Sequence, residues 1–169
     1  MAVLVLDASA VVKYYVLEPG STWIREVIDA KSEPTGLVLY TVIIADVSVA
    51  EVASAFSVLH RTGRLRRRTR DATYDRFMGD LLRRYSLAGS GRDRFYDAAR
   101  LTQRHPLKAY DAVQLAVAMQ QNKSLLTVGQ TLTFVSGDHT LLTAAVAEGL
   151  AVDNSFEHAS PEDLPAASK

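Results

Sequence analysis

The sequence predicts an α/β fold, with helices layered on a mainly parallel sheet. Three observations lead there. Short apolar, mostly β-branched runs alternate with longer segments whose apolar residues recur at helical spacing. Acids stand directly behind two of the runs, as in "VLVLD" at Asp7 and "TFVSGD" at Asp138. The 169 residues hold no internal repeat and no linker-like stretch, so the elements are expected to share one core.

The elements follow in order. Val3–Leu6 is a short buried strand, and residues 9–17 are a helix stopped by Pro19-Gly20. "TWIREVIDAK" continues as an amphipathic helix. "GLVLYTVII", 36–44, reads as a second strand, and 46–63 as a long helix ended by Gly63. The span 64–104 is predicted helical in two pieces, broken near "AGSG", 88–91. "YDAVQLAVAMQQNK" is a further helix. "TLTFVS" is a third strand, followed by a helix ending at Gly149 and a last short strand at 150–152. The polar stretch "SPEDLPAASK" reads as a loose end. The expected organisation is one domain over 1–155, with an Arg-rich helical segment at 60–104, and a tail over 156–169.

Composition removes several classes. There is no cysteine, which excludes a disulfide scaffold and a thiolate zinc site. The longest apolar stretch, 36–45, is far short of the roughly 20 residues of a membrane span. The N-terminus has no basic region and Asp7 interrupts its apolar run, so it does not read as a signal peptide. The expectation is a cytoplasmic protein with no membrane association.

Net charge is zero but unevenly spread. Residues 60–104 carry 13 Arg, no Lys and 5 acids, a balance of +8, and the remainder carries −8. A charge run is ordinarily a solvated face. Arginine also suits phosphate, because its planar fork matches phosphate oxygens and keeps its charge. Arg61, Arg64, Arg66, Arg67, Arg68 and Arg70 are the candidate contacts to a phosphate backbone.

Four acids are the candidate chemical groups: Asp7, Glu51, Asp111 and Asp138. In an open parallel sheet, ligands bind beyond the carboxyl ends of the strands. Each acid also has an ordinary structural explanation. Asp7 and Asp138 can be N-caps, Glu51 has capping-box spacing to Ser48, and Asp111 suits the positive end of its helix. The helix positions argue further. Glu51 shares a stripe with Val47, Ala55, Val58 and Leu59, and Asp111 with Leu115, Ala118 and Met119. A carboxylate facing a core is costly unless paired or bound to a metal. No Lys or Arg lies on either stripe, and an all-oxygen set suits Mg²⁺ or Mn²⁺.

At these residues the chain resembles the PIN-domain nucleases, most closely the VapC-type toxins of toxin–antitoxin pairs. The likeness runs through "LVLDASAVVKYYVLEPGS", "VSVAEVASAFSVLHRTGRL", "HPLKAYDAVQLAVAM" and "FVSGDHTLLTAAVAEGLAVDN". It implies a three-layer α/β/α sandwich and Mg²⁺- or Mn²⁺-dependent cleavage of RNA, with a tRNA or structured rRNA loop as the expected substrate class. It also implies a homodimer and a small cognate antitoxin. Asp7, Glu51 and Asp111 would hold the main metal ion, and Asp138 a second ion or the attacking water. Ser9 and Ser136 would orient carboxylates or bound water. The sequence departs from the family in a longer gap between Asp111 and Asp138, and in Asn154-Ser155 where Asn-Pro is frequent.

Other readings fit less well. His60, His105, His139 and His158 lack zinc-ligand spacing. "AGSG" lacks the Gly-Lys-Ser/Thr ending of a phosphate-binding loop. An aspartyl phosphatase would want Asp-x-Asp where Asp7-Ala8-Ser9 stands, and a phospho-accepting receiver would want a Lys near "TFVSGDH". A non-catalytic RNA- or partner-binding module of the same fold is the main alternative.

Overall fold

The computed structural model describes residues 2–163. Its centre is a five-stranded sheet, β1 (Ala2–Leu6), β2 (Tyr40–Ala45), β3 (Ser86–Ala88), β4 (Leu132–Ser136) and β5 (Ala151–Asn154). Strand order is β3-β2-β1-β4-β5, and every pairing is parallel. Parallel neighbours need long crossovers, which the helices supply. These are α1 (Ala8–Tyr15), α2 (Ser21–Asp29), α3 (Val47–Arg61), α4 (Arg67–Arg84), α5 (Arg92–Arg104), α6 (Ala109–Leu126) and α7 (His139–Ala147). Two 3-10 turns follow, Ser155–His158 and Pro161–Asp163.

The continuous apolar runs of β1 and β2 are explained by burial on both faces. Val3, Val5, Ile43, Leu132 and Phe134 pack with α5, α6 and α7 in one core. Leu4, Leu6, Val42, Ile44 and Val135 point the other way, onto α1 to α4. Side chains that alternate along a strand thus build two cores, and the result is the three-layer α/β/α sandwich. No helix among the described residues is long and apolar enough to cross a membrane.

Three details differ from the sequence reading. The second strand begins at Tyr40, because Leu37, Val38 and Leu39 lie outside the sheet and are exposed. A short edge strand, β3, occupies the predicted break between the two Arg-rich helices and pairs with β2 from Ile43↔Ser86 to Ala45↔Ala88. The stretch from Ser160, expected to be loose, is anchored by Asp163. Its carboxylate accepts from the Gly20 and Thr22 amides, the Thr22 hydroxyl and the Ser160 amide. Residues 164–169 of the expected tail lie outside the described residues.

The strand order reverses direction beside β1. The chain moves from β1 to β2 and β3, then crosses to β4 and β5 on the other side. The crevice between the carboxyl ends of β1 and β4 is therefore the switch point at which such sheets bind ligands.

Candidate active site

Asp7 is the residue after β1 and lies in that crevice. Its amide donates to Val135 O at 3.0 Å, extending the ladder by one bond. Its carboxylate caps α1 through the Ala10 amide at 2.8 Å, so the expected cap is real. Capping uses only part of the acceptor capacity. Ser9 Oγ donates to both oxygens at 2.8 and 2.9 Å, and Ser136 Oγ donates to Oδ2 at 2.7 Å. Asp7 is 4% exposed, and burial raises its pKa to about 6 against the pull of these donors. The Asp111 charge adds to the rise.

Glu51 lies in the second turn of α3, the helix that follows β2. It forms no capping box with Ser48, and Asp46 takes the cap position of α3 with its carboxylate turned to Ser90 instead of the helix amides. Instead, both residues meet Gln114. Its Nε2 donates to Glu51 Oε2 at 2.7 Å, and its Oε1 accepts from Ser48 Oγ at 3.0 Å and the Ala8 amide at 2.9 Å. Burial first, then the charges of Asp111 and Asp7, push Glu51 up to about 7. Asp111, in the first turn of α6, is also raised, by burial and then by Asp138, while Lys108 pulls the other way.

Asp138 caps α7, accepting from the Thr140 and Leu141 amides through Oδ1 alone at 2.8 and 3.0 Å. Its own amide donates to Ser136 Oγ at 2.9 Å, and that hydroxyl in turn donates to Asp7. Ser9 Oγ accepts from the Gly137 amide at 3.1 Å. The two serines therefore link the ends of β1 and β4. Hydrogen bonds gather the predicted acids around the switch point: Ser136 joins Asp7 to the Asp138 backbone, Gln114 joins Glu51 to the residue after Asp7, and Asp111 stands three positions before Gln114 on α6. Gln114 was not singled out in the sequence. Its signal was a polar residue three positions after Asp111, on the same helix face and within the apolar run 112–118 that is buried.

Glu51 and Asp138 open into a cleft of about 850 Å³, lined also by Ser9, Lys13, Val58, Tyr110 and Phe156 among others. The C-terminal segment forms one wall. Gly20 has φ 89°, and a Cβ there would lie 2.0 Å from Ser155 O. A Cβ on Gly137 would meet the Phe156 ring at 2.8 Å. These two glycines let the segment approach the site. Lys13 Nζ lies 3.7 Å from the Phe156 ring centroid and donates to Pro19 O at 2.7 Å. Trp23 is half-buried, packed against the α1–α4 core and stacked on His158 at 4.0 Å.

The six candidate arginines form no single patch. Arg61 and Arg70 line a groove with Ser54, Ser57, Asp71 and Tyr74, and Ser54 also lines the acidic cleft. The groove and the cleft thus share Ser54 as a common wall. Arg66, Arg67 and Arg68 are exposed at the start of α4, whereas Arg64 is turned to Glu18 at 3.2 Å. His139 is exposed in the first turn of α7 and caps nothing.

The donors fit a hard divalent cation. They are carboxylate and hydroxyl oxygens, and among the described residues none of the four acids is in an ion pair. Among the described residues there is also no ready-made cluster of three or more metal-ligating side chains.

The profile of the PIN domain matches residues 4–135, and the chain belongs to that family. No curated protein matches it in sequence. Solved structures agree on the fold. VapBC2 from Rickettsia felis, bound to a promoter DNA fragment, aligns with a TM-score of 0.58 at 14% identity, covering 90% of this chain and 98% of that one. A protein of Pyrobaculum aerophilum gives 0.59 at 19% identity, covering 92% and 85%. VapC20 of Mycobacterium tuberculosis, a Sarcin-Ricin loop cleaving toxin, gives 0.55 at 15% identity, covering 83% and 94%.

Proposed function

We propose that this chain is an endoribonuclease dependent on Mg²⁺ or Mn²⁺, the toxin of a toxin–antitoxin pair. The observation that carries the reading is the convergence of Asp7, Glu51, Asp111 and Asp138 at the switch point of a PIN domain. Asp7, Glu51 and Asp111 hold the main ion, and Asp138 serves a second ion or the attacking water. A bound divalent cation would acidify a water and neutralise charge on the scissile phosphate. Ser9 and Ser136 keep the Asp7 oxygens aimed, through the bonds at 2.7 to 2.9 Å. Asp138 Oδ2 is left free by the cap, which uses Oδ1 only.

On this reading residues 1–155 are the catalytic domain, and the basic span 60–104 holds the RNA backbone. Arg61 and Arg70 follow the strand out of the cleft, and Arg64, Arg66, Arg67 and Arg68 add to its electrostatic pull. A structured RNA such as tRNA or an rRNA loop is the substrate class, in keeping with the loop-cleaving VapC20 among the structural neighbours. The toxin-antitoxin neighbour supports a cognate antitoxin as partner. A homodimer in the cytoplasm completes the proposal.

The test is cleavage of total small RNA in Mg²⁺ or Mn²⁺, beside EDTA and beside Asp7→Asn. Metal-dependent cleavage lost in both controls supports the assignment. Tight RNA binding with no cleavage of any RNA would replace it with a binding module.

A further inference from the structure

The geometry points to Gln114 as a positioning residue that fixes the spacing of three of the acids. This inference rests on the metal-site reading above and deepens it. Gln114 is 3% exposed and has a bond for each face of its amide. The orientation of that amide is forced. The Ala8 N–H can only donate, so the side-chain oxygen must face it, at 2.9 Å. Ser48 Oγ shares the same oxygen at 3.0 Å. The NH₂ group is therefore aimed at Glu51 Oε2, at 2.7 Å, and has no flipped alternative.

Three elements meet at this one side chain. Ala8 is the residue after Asp7, so its amide belongs to the backbone that carries the first acid. Glu51 is held directly. Asp111 stands three positions earlier on α6, on the same helix face as Gln114. If Gln114 withdraws, Glu51 loses its only hydrogen-bonding side chain among the described residues, and the start of α1 loses its tether to α6. Among the described residues no other side chain bonds both Glu51 and the backbone next to Asp7. Partners that orient metal-binding carboxylates typically change metal affinity 10–100-fold when removed.

The test measures Mn²⁺ affinity of the full chain by electron paramagnetic resonance, with thermal melts in EDTA alongside. Four variants are compared with the unmodified chain. Gln114→Met keeps volume and removes both functions of the amide. Gln114→Asn keeps the amide but is one methylene too short to span from Ala8 to Glu51, and serves if the first variant fails to fold. Ser48→Ala removes one bond to the same oxygen and leaves the Glu51 contact, so it reports a purely structural effect. Glu51→Gln tests the metal reading itself. The expected result is about tenfold weaker Mn²⁺ binding in folded Gln114→Met or Gln114→Asn. Ser48→Ala should stay within about twofold even if its melting point falls. A folded Gln114 variant with unchanged affinity, while Glu51→Gln binds weakly, would overturn the inference and leave the metal site standing. Unchanged affinity in Glu51→Gln would instead overturn the ligand assignment on which the inference rests.

Discussion

Replacing Glu51 with Gln should stabilise the metal-free protein at pH 8. The amide can still accept from Gln114 Nε2 while carrying no charge into a site already crowded by Asp7 and Asp111. Folding raises the Glu51 pKa from 4.5 to about 7, chiefly by burial. Below pH 4 the carboxyl is protonated in both folded and unfolded chains, and the substitution is neutral. Between these values the folded chain keeps a proton that the unfolded chain releases, so stability is lost as pH rises. Above pH 7 the full cost is present, about 3 kcal/mol for a shift of this size. Water reaches this half-buried group through the cleft, which reduces the figure to roughly 1–2 kcal/mol. For a chain of this length that is a rise of roughly 2–8 °C in melting temperature. The assay is a pair of thermal melts in EDTA, at pH 4 and pH 8. In saturating Mn²⁺ the order should reverse, because only the unmodified chain gains the full binding free energy. A variant that melts lower than the unmodified chain at pH 8 in EDTA would refute the reasoning, since it would mean that the Glu51 charge is already compensated.

Gly20→Ala should cost about 2 kcal/mol or more, because φ is 89° and the added Cβ would lie 2.0 Å from Ser155 O. Urea unfolding measures it, and a cost under half a kcal/mol would contradict the close approach. Asp163→Ala should cost about 2 kcal/mol at pH 7, since a buried carboxylate accepting four hydrogen bonds leaves its donors unpaired. Those bonds hold the Asp163 pKa well below the usual carboxylate value, so its contribution is present above pH 4 and is lost as pH falls further. The gap between variant and parent should accordingly narrow in acid. Arg61→Gln with Arg70→Gln should weaken RNA binding at low salt and lower the salt slope by about two. Fluorescence anisotropy at several salt concentrations reads this, and an unchanged slope would remove the groove from the RNA path.

Much of the architecture was legible because it is local. Short apolar, β-branched runs in β1 and β4, helical spacing in α3 and α6, and acids placed just after strands are properties of neighbours in sequence. The positions of Asp7 and Asp138 could be read in this way, and both do cap helices as their local context required. The capping-box spacing of Ser48 and Glu51 is not realised, for the opposite reason. A bond to Gln114, 63 positions beyond Glu51, competes with the local one and wins.

The sequence by itself determined an α/β chain with four acids at strand ends and helix starts, and a basic segment apart from them. Only the tertiary structure decided what those acids meet. It brought β1 beside β4, so that Ser136 could reach Asp7 across 129 positions. It seated β3, three residues too short to carry a period, at the edge of the sheet. It drew the C-terminal segment over Gly20 and Gly137 to wall the cleft, and it placed Gln114 between three elements. The physical reason is common to all of these. Periodicity encodes which face of an element is buried, but which element covers that face depends on packing between segments far apart in the chain.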